Sequence, residues 1–261
     1  DGIDLNLENS TGSFSFVSKK RKLYTHKFGG DANKIVLLDW YYNDANINTL
    51  EFVYKHVEST RRQNFFVSKA ADLFDVINWD LSVIAGGGTD TLGGVPTPIS
   101  YSFQFRLNNS ETGSLAIADN SVSMQTPFIK IPNGQIWNLM LQRMTASDAG
   151  VGAASAATSV GSTINEYRLH AALQEGKTIK KYQHVTLEVS GGLSTDSNHR
   201  ANQNFVGSGS RLKGINQNLH VGGQYPSNTN KFGLSGSLGE IRAWSTTLSA
   251  SKFRQHTLNK F

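Results

Sequence analysis

The chain contains no cysteine. That excludes disulfides, thiolate metal sites and a cysteine nucleophile. It does not fix the compartment. No run of about 18 apolar residues is present, so no segment reads as a membrane-spanning helix. No secretory leader is visible. Residue 1 is Asp rather than Met, as expected if Asp1 follows a cleavage or begins a fragment of a longer chain. The seven histidines, at 26, 56, 170, 184, 199, 220 and 256, show no i, i+2 or i, i+4 pairing. Zinc-ligand spacing is therefore missing.

Charge of either sign is modest: 25 Lys and Arg against 20 Asp and Glu give +5. This implies at most a mild attraction to anionic surfaces. The one basic run, Lys19 to Lys22, has no interleaved stacking aromatics. It reads as a charged edge that discourages strand-to-strand aggregation, not as a nucleic-acid patch. Gly86-Gly87-Gly88 lacks the Lys-Ser/Thr ending and the following helix of a phosphate loop. No Gly-x-Ser-x-Gly elbow supports a serine triad. Asn9-Ser-Thr and Asn108-Asn-Ser match the glycosylation tripeptide, which also arises often by chance.

What the chain does have is glycine and aromatics: 25 Gly, 14 Phe, 8 Tyr and 4 Trp, with only 5 Pro. Short apolar runs alternate with polar, glycine-containing turns at intervals of roughly 8–12 residues, the pattern of an all-β sandwich or barrel. A chain of 261 residues can bury one full core. Ser100 to Leu107 alternates cleanly, with Tyr101, Phe103, Phe105 and Leu107 on one parity and Ser102, Gln104 and Arg106 on the other. One face is core and the other is solvent or groove. Strands are also expected over 49–57, 65–69, 76–84, 115–117, 128–131, 136–144, 167–173 and 182–189. Residues 86–98 read as a loop, 145–163 as a long surface loop of small residues, and 193–204 as a polar loop.

The last forty residues organise the rest. Leu219 and Val221 alternate around His220, and Gly222-Gly223 ends that strand. In Leu238 to Trp244, residues 238, 240, 242 and 244 share one parity, and Ile241 and Ala243 the other. Ser249 is the expected N-cap of a short helical turn, 250–256.

Gly222, Gly223, Gly236, Leu238, Glu240, Ile241, Arg242, Trp244, Leu248 and Ser249 resemble the closing strands of the concanavalin A-like, laminin-G-type jelly rolls. Near the other end, Leu23 to Asp39 resembles that family's opening hairpin, with Gly29-Gly30-Asp31 as its turn. Thr49–Val57, Phe65–Lys69 and Ile136–Leu141 resemble its inner strands, with Asn138 standing where a histidine is common. The resemblance implies an all-β, two-sheet antiparallel jelly-roll sandwich with a short C-terminal helical turn. Residues 1–18 would be an N-terminal arm or edge strands, and residues 19–261 a single jelly-roll domain.

Relatives of this fold include β-glucan hydrolases, which carry paired carboxylates as Glu-x-Asp-x-x-Glu on one strand. That pattern is missing. Asp72 and Asp75 would face opposite ways in a strand, and Glu51, Glu188 and Glu240 are solitary in sequence. No catalytic residue is assigned, and the chain reads as a non-enzyme. Some relatives bind calcium through loop Asp and Asn. Asp31 with Asn33, or Asp196 with Asn198, could supply such oxygens, but these residue types also stabilise turns and that reading is favoured. No cofactor and no metal are expected.

The leading expectation is a structural or interaction module on a virion or extracellular surface, such as a capsid decoration, tail or appendage protein. Its partners would be neighbouring structural proteins or copies of itself, without nucleic acid or a membrane span. The alternative is a lectin-like adhesion module for a cell-surface glycan. Its candidate ligand residues are Tyr225, Asn228, Asn230, Tyr41, Tyr42, Asn198 and Arg200. Aromatic, amide and guanidinium groups in loops are what sugar hydroxyls and ring faces match.

Overall fold

The computed structural model describes residues 13–16, 24–29, 36–37, 49–70, 77–86, 89–92, 95–98, 100–107, 122–145, 163–191, 217–222, 233–244 and 246–259. They form an all-β, two-sheet antiparallel sandwich of the jelly-roll class, with one short C-terminal helix.

The strands are β1 Ser13–Phe16, β2 Tyr24–Gly29, β3 Val36–Leu37, β4 Thr49–His56, β5 Gln63–Ala70, β6 Ile77–Ala85, β7 Thr89–Leu92 and β8 Val95–Pro98. There follow β9 Tyr101–Leu107, β10 Val122–Gln125, β11 Ile136–Thr145, β12 Thr163–Glu175, β13 Thr178–Gly191, β14 Gln217–Val221 and β15 Ser235–Trp244, then the helix α1, Ala250–Leu258. One sheet has seven strands in the order β1-β2-β15-β4-β11-β12-β13. The other has six, β10-β9-β6-β5-β14-β3.

Alternation explains how the two sheets close on each other. Leu50, Phe52 and Tyr54 of β4 lie in register with Leu141, Leu139 and Trp137 of β11, and all six are buried on the inner face. Trp79, Leu81 and Val83 of β6 meet Leu107, Phe105 and Phe103 of β9 in the facing sheet. Phe52 packs edge-on against Phe66, with centroids 4.8 Å apart at 82°, a geometry that aromatic quadrupoles favour. Phe65 and Phe66 both reach the core because the register slips between Asn64 and Phe66.

Four sequence expectations change. Residues 23–39 are not a hairpin: β2 pairs with β15 in one sheet, and β3 pairs with β14 in the other. The chain crosses between the layers there, which a local turn signal cannot reveal. Residues 86–98 are not only loop, because β7 and β8 pair antiparallel. Pro96 and Pro98 disguised β8. Among the described residues it has a neighbour on one side only, where a missing N–H is tolerated. The strand expected over 128–131 reduces to a single bridge, Ile129 to Tyr101.

The fourth change is the parity of β15. Its register against β4 slips between Gly239 and Arg242. Leu238, Ile241 and Ala243 consequently all join the core, although strict alternation would put Leu238 opposite the other two. Glu240 sits in the bulge with φ 48. A side chain there costs about 1–2 kcal/mol relative to glycine. Glu240→Gly should therefore be at least as stable as wild type and about 1 kcal/mol more stable than Glu240→Ala, inverting the usual order. Urea melts of the three proteins check this. An alanine variant as stable as the glycine variant would show that the backbone at 240 carries no strain. Four residues earlier, Gly236 has φ +116, and an added Cβ would lie 2.5 Å from the Lys55 carbonyl oxygen.

The helix begins as the sequence predicts: Ser249 Oγ accepts from the Lys252 N–H at 3.0 Å. It runs two residues further than expected, to Leu258. Phe253 seats it on Met140 and Ala172, on the outer face of the seven-stranded sheet. Among the described residues no helix is long and apolar enough to cross a membrane.

Candidate functional site

The outer face of the six-stranded sheet is unusually polar for a surface so well buried. Its side chains form two rows across the strands. The first row is Asn64 (β5), Ser82 (β6), Gln104 (β9) and Gln125 (β10), in direct register. The second is Val67, Asp80, Arg106 and Ser123 on the same four strands. Asn64, Asp80 and Ser82 are wholly buried.

Asp80 is the centre. Arg106 donates to it twice, Nε to Oδ1 at 3.1 Å and Nη2 to Oδ2 at 2.5 Å. Arg62, at the start of β5, donates Nη2 to Asp80 Oδ1 at 2.9 Å and Nη1 to Gln104 Oε1 at 2.6 Å. Gln104 Nε2 then donates to Gln125 Oε1 at 3.1 Å. The Arg62 and Arg106 side chains retain 13% and 16% exposure, so they form the rim of a buried charge cluster. Two-point pairing with the carboxylate fixes Arg106, and Arg62 is held between Asp80 and Gln104.

Asn64 differs from its row. Among the described residues neither Nδ2 nor Oδ1 has a hydrogen-bond partner. A buried amide with open donor and acceptor costs about 1–3 kcal/mol per group.

A second cluster lies under α1, on the outer face of the other sheet. Glu51 (β4) accepts from Trp244 Nε1 at 2.8 Å and bonds His256 Nδ1 at 2.9 Å. The Trp244 and His256 rings stack at 5.4 Å. Glu240 also lines this cavity, so two glutamates that are solitary in sequence come together, correcting that reading. The bulge does this by turning residue 240 out of its strand row. Yet the cavity holds about 20 Å³, room for one water and not a sugar ring. Among the described residues Asn138 Nδ2 and Thr257 Oγ1, whose side chains belong to its lining residues, lack partners. This arrangement clamps the C-terminal helix to the sheet.

The loop residues expected to bind ligand (Tyr41, Tyr42, Asn198, Arg200, Tyr225, Asn228 and Asn230) lie outside the described residues. So do Asp31, Asn33, Asp72, Asp75, Asp196 and the strand expected over 115–117. Among the described residues no group of three or more His, Cys, Asp or Glu side chains could hold a metal ion. The sequence reading of β9 did mark Ser102, Gln104 and Arg106 as one non-core face, and the structure places them so. What it missed was Arg62, Asn64, Asp80 and Gln125. The available signal was Asp80 itself, a charge set between Trp79 and Leu81 in a core strand.

No family model and no curated protein matches the sequence. Solved structures with a similar arrangement include the CBM40 of a Ruminococcus gnavus IT-sialidase, with 11% identity and a TM-score of 0.47 over 94% of this chain and 96% of that one. A native heptameric SAP-like pentraxin from Limulus polyphemus shows 10% identity and a TM-score of 0.43, over 94% and 80%. The enzymatically active domain of tailspike protein 2 from Bacteriophage CBA120 shows 9% identity and a TM-score of 0.46, over 95% of this chain but 29% of that one. Likeness at this level carries no weight for a shared ligand or activity.

Proposed function

We propose that this domain is a non-catalytic, lectin-like module that holds a carbohydrate on the outer face of its six-stranded sheet, at an extracellular or virion surface. The observation that carries this reading is the linked row of amide and guanidinium groups, Arg62 to Gln104 to Gln125, with Arg106 beside it. Sugar hydroxyls both donate and accept. The part-exposed amides of Gln104 and Gln125 and the arginines fixed beside them match such groups in both kind and direction.

The non-catalytic part rests on the same geometry. Glycoside hydrolysis uses two carboxyl groups flanking one bond, about 5–10 Å apart. Among the described residues of this face Asp80 is the only carboxylate, and both its oxygens are held by arginines. The second reading, a structural module among copies of itself, draws on β13, the outermost strand of the seven-stranded sheet among the described residues.

A glycan array probed with wild type, Gln125→Ala and Tyr225→Ala separates the possibilities. Wild type should give reproducible hits. Gln125→Ala should lose them by roughly tenfold, the worth of about one well-formed hydrogen bond to a partly buried ligand. Tyr225→Ala should leave them intact. Loss on Tyr225→Ala alone would move the site to the loops, and silence from wild type would sink the carbohydrate reading.

A further inference from the structure

The helix α1 is seated by few side chains. Of its nine residues only Phe253 and Thr257 are buried. A helix this short does not persist in water without tertiary support. Its seat is a small cluster separate from the main core: Phe253 on Met140 and Ala172, with Ile179, Tyr182 and Leu248 packed around them. The Arg254 guanidinium lies over the Tyr182 ring at 4.3 Å. The chain leading into the helix is fastened independently. Gln142 Nε2 donates to the Leu248 carbonyl at 2.6 Å, and Thr49 Oγ1 to the Thr246 carbonyl at 2.9 Å. The helix is therefore free to leave from Ser249 onward while the strands keep their pairing.

Beneath it lies a histidine with no place for a positive charge. Met140, His170 and His184 form one row across β11, β12 and β13. The His170 ring is buried, stacked on His184 at 4.4 Å and 5.8 Å from the Phe253 ring. Its Nδ1 bonds the Tyr182 hydroxyl at 2.7 Å, and among the described residues its Nε2 has no hydrogen-bond partner. The groups that act on it electrostatically carry one sign: His184 from β13, Arg168 from β12 and Arg254 from α1. Glu166, also on β12, is bonded to Arg168. From β11 it meets the uncharged Met140.

We propose that α1 is an acid-released latch: a proton on His170 unseats the helix while the two sheets stay folded. Docked, His170 is held down at about 3, first by burial and then by its cationic neighbours. Released, its ring meets water and returns toward the ordinary value near 6.5. The released form takes the proton first. Docking is therefore at full strength above pH 6.5 and weakens as pH falls toward 3, by close to tenfold for each pH unit below 6.

His256 pulls the other way, because its charged form pairs with Glu51 and holds the helix down. That pair is part-exposed and worth roughly fivefold in all, whereas the loss at His170 grows with every pH unit. Release bares Met140, Ala172 and Tyr182, an apolar patch on the outer face of the seven-stranded sheet. The carbohydrate platform lies on the other sheet, and the latch does not depend on that reading.

Hydrogen exchange of the whole chain, each rate divided by that of unstructured peptide at the same pH, tests the latch without any glycan. The amides of 253–258 should open more readily than those of β11. Their opening should rise roughly twentyfold between pH 6.0 and 4.5. His170→Gln should flatten that rise, and His256→Gln should keep it. Phe253→Ala should open the helix at every pH and lose the rise as well, since the His170 ring is then already wet. Amides of 253–258 that exchange only in step with β11 overturn the proposal, because the helix then leaves only with the whole domain. So does opening that is flat with pH in wild type, or that keeps its slope in His170→Gln or Phe253→Ala.

Discussion

Stability should fall steeply as pH drops from 6.5 toward 5. Two histidines are buried in the neutral form. His56 ends β4 with its ring fully covered, 2.9 Å from the Tyr54 hydroxyl and edge-on to Tyr101 at 4.2 Å. Burial pushes it down from 6.5 to about 4. His170 on β12 lies under α1, 2.7 Å from the Tyr182 hydroxyl and stacked on His184 at 4.4 Å. Burial, helped by His184, Arg168 and Arg254, pushes it to about 3. Glu166 pairs with Arg168 on the same face and is not among the groups that shift His170.

Both folded-state values lie below the unfolded one, so the unfolded chain takes up protons first. Stability is therefore complete above pH 6.5 and is lost as pH falls toward each folded value. Each histidine removes about 1.4 kcal/mol per pH unit in that window. At pH 4.5 the pair together removes roughly 5 kcal/mol, comparable with the whole stability of many domains. Urea melts at pH 7.5, 6.5, 5.5 and 5.0 should show unfolding coupled to uptake of about two protons. His170→Gln should cut that uptake to about one, whatever it does to stability at pH 7.5. A profile flat from 7.5 to 5.0 would mean that neither ring is sealed from water.

Both histidines illustrate what could and could not be read from the chain. Strand identity was legible wherever alternation was local. β9 announced its own core face, and so did the Leu50, Phe52, Tyr54 parity of β4. His56 shares that parity, so its inward aim was readable too. His170 was not. Its burial comes from α1 folding back over the outer face, a contact between residues 83 apart in the chain, His170 and Phe253. The bulge at Glu240 was hidden for a similar reason. Apolar residues on both parities of 238–244 were visible, but a two-sided strand and a bulged one-sided strand look alike until the partner strand fixes the register. The platform was legible in part. Ser102, Gln104 and Arg106 followed from alternation, whereas the company they keep follows from sheet order β10-β9-β6-β5. That order pairs strands from distant parts of the chain, which composition and period do not encode.

Asp80→Ala should be among the most damaging single changes on the molecule. Asp80 is wholly buried, and three guanidinium N–H groups from two arginines converge on it. Removing it takes the shared carboxylate away from two mostly covered guanidinium groups, which reach it from the strands on either side of β6. Breaking a buried pair in this way costs about 3–5 kcal/mol, because the surviving charge keeps its desolvation penalty and loses its partner. Asp80→Asn is the sharper probe. It preserves volume and one acceptor oxygen, so the core beneath, Trp79 and Leu81, is undisturbed. What changes is the anchoring of Arg62 and Arg106. If those arginines serve only to cover the sheet, Asp80→Asn should lower the melting temperature and leave glycan affinity untouched in protein that is still folded. If they are held ready for a ligand, as proposed, affinity should fall beyond the loss in Gln125→Ala, because two donors are loosened instead of one. Measuring both quantities on both variants well below the melting temperature separates the two roles. Equal affinity for Asp80→Asn and wild type would reduce the platform to a structural seal over β6.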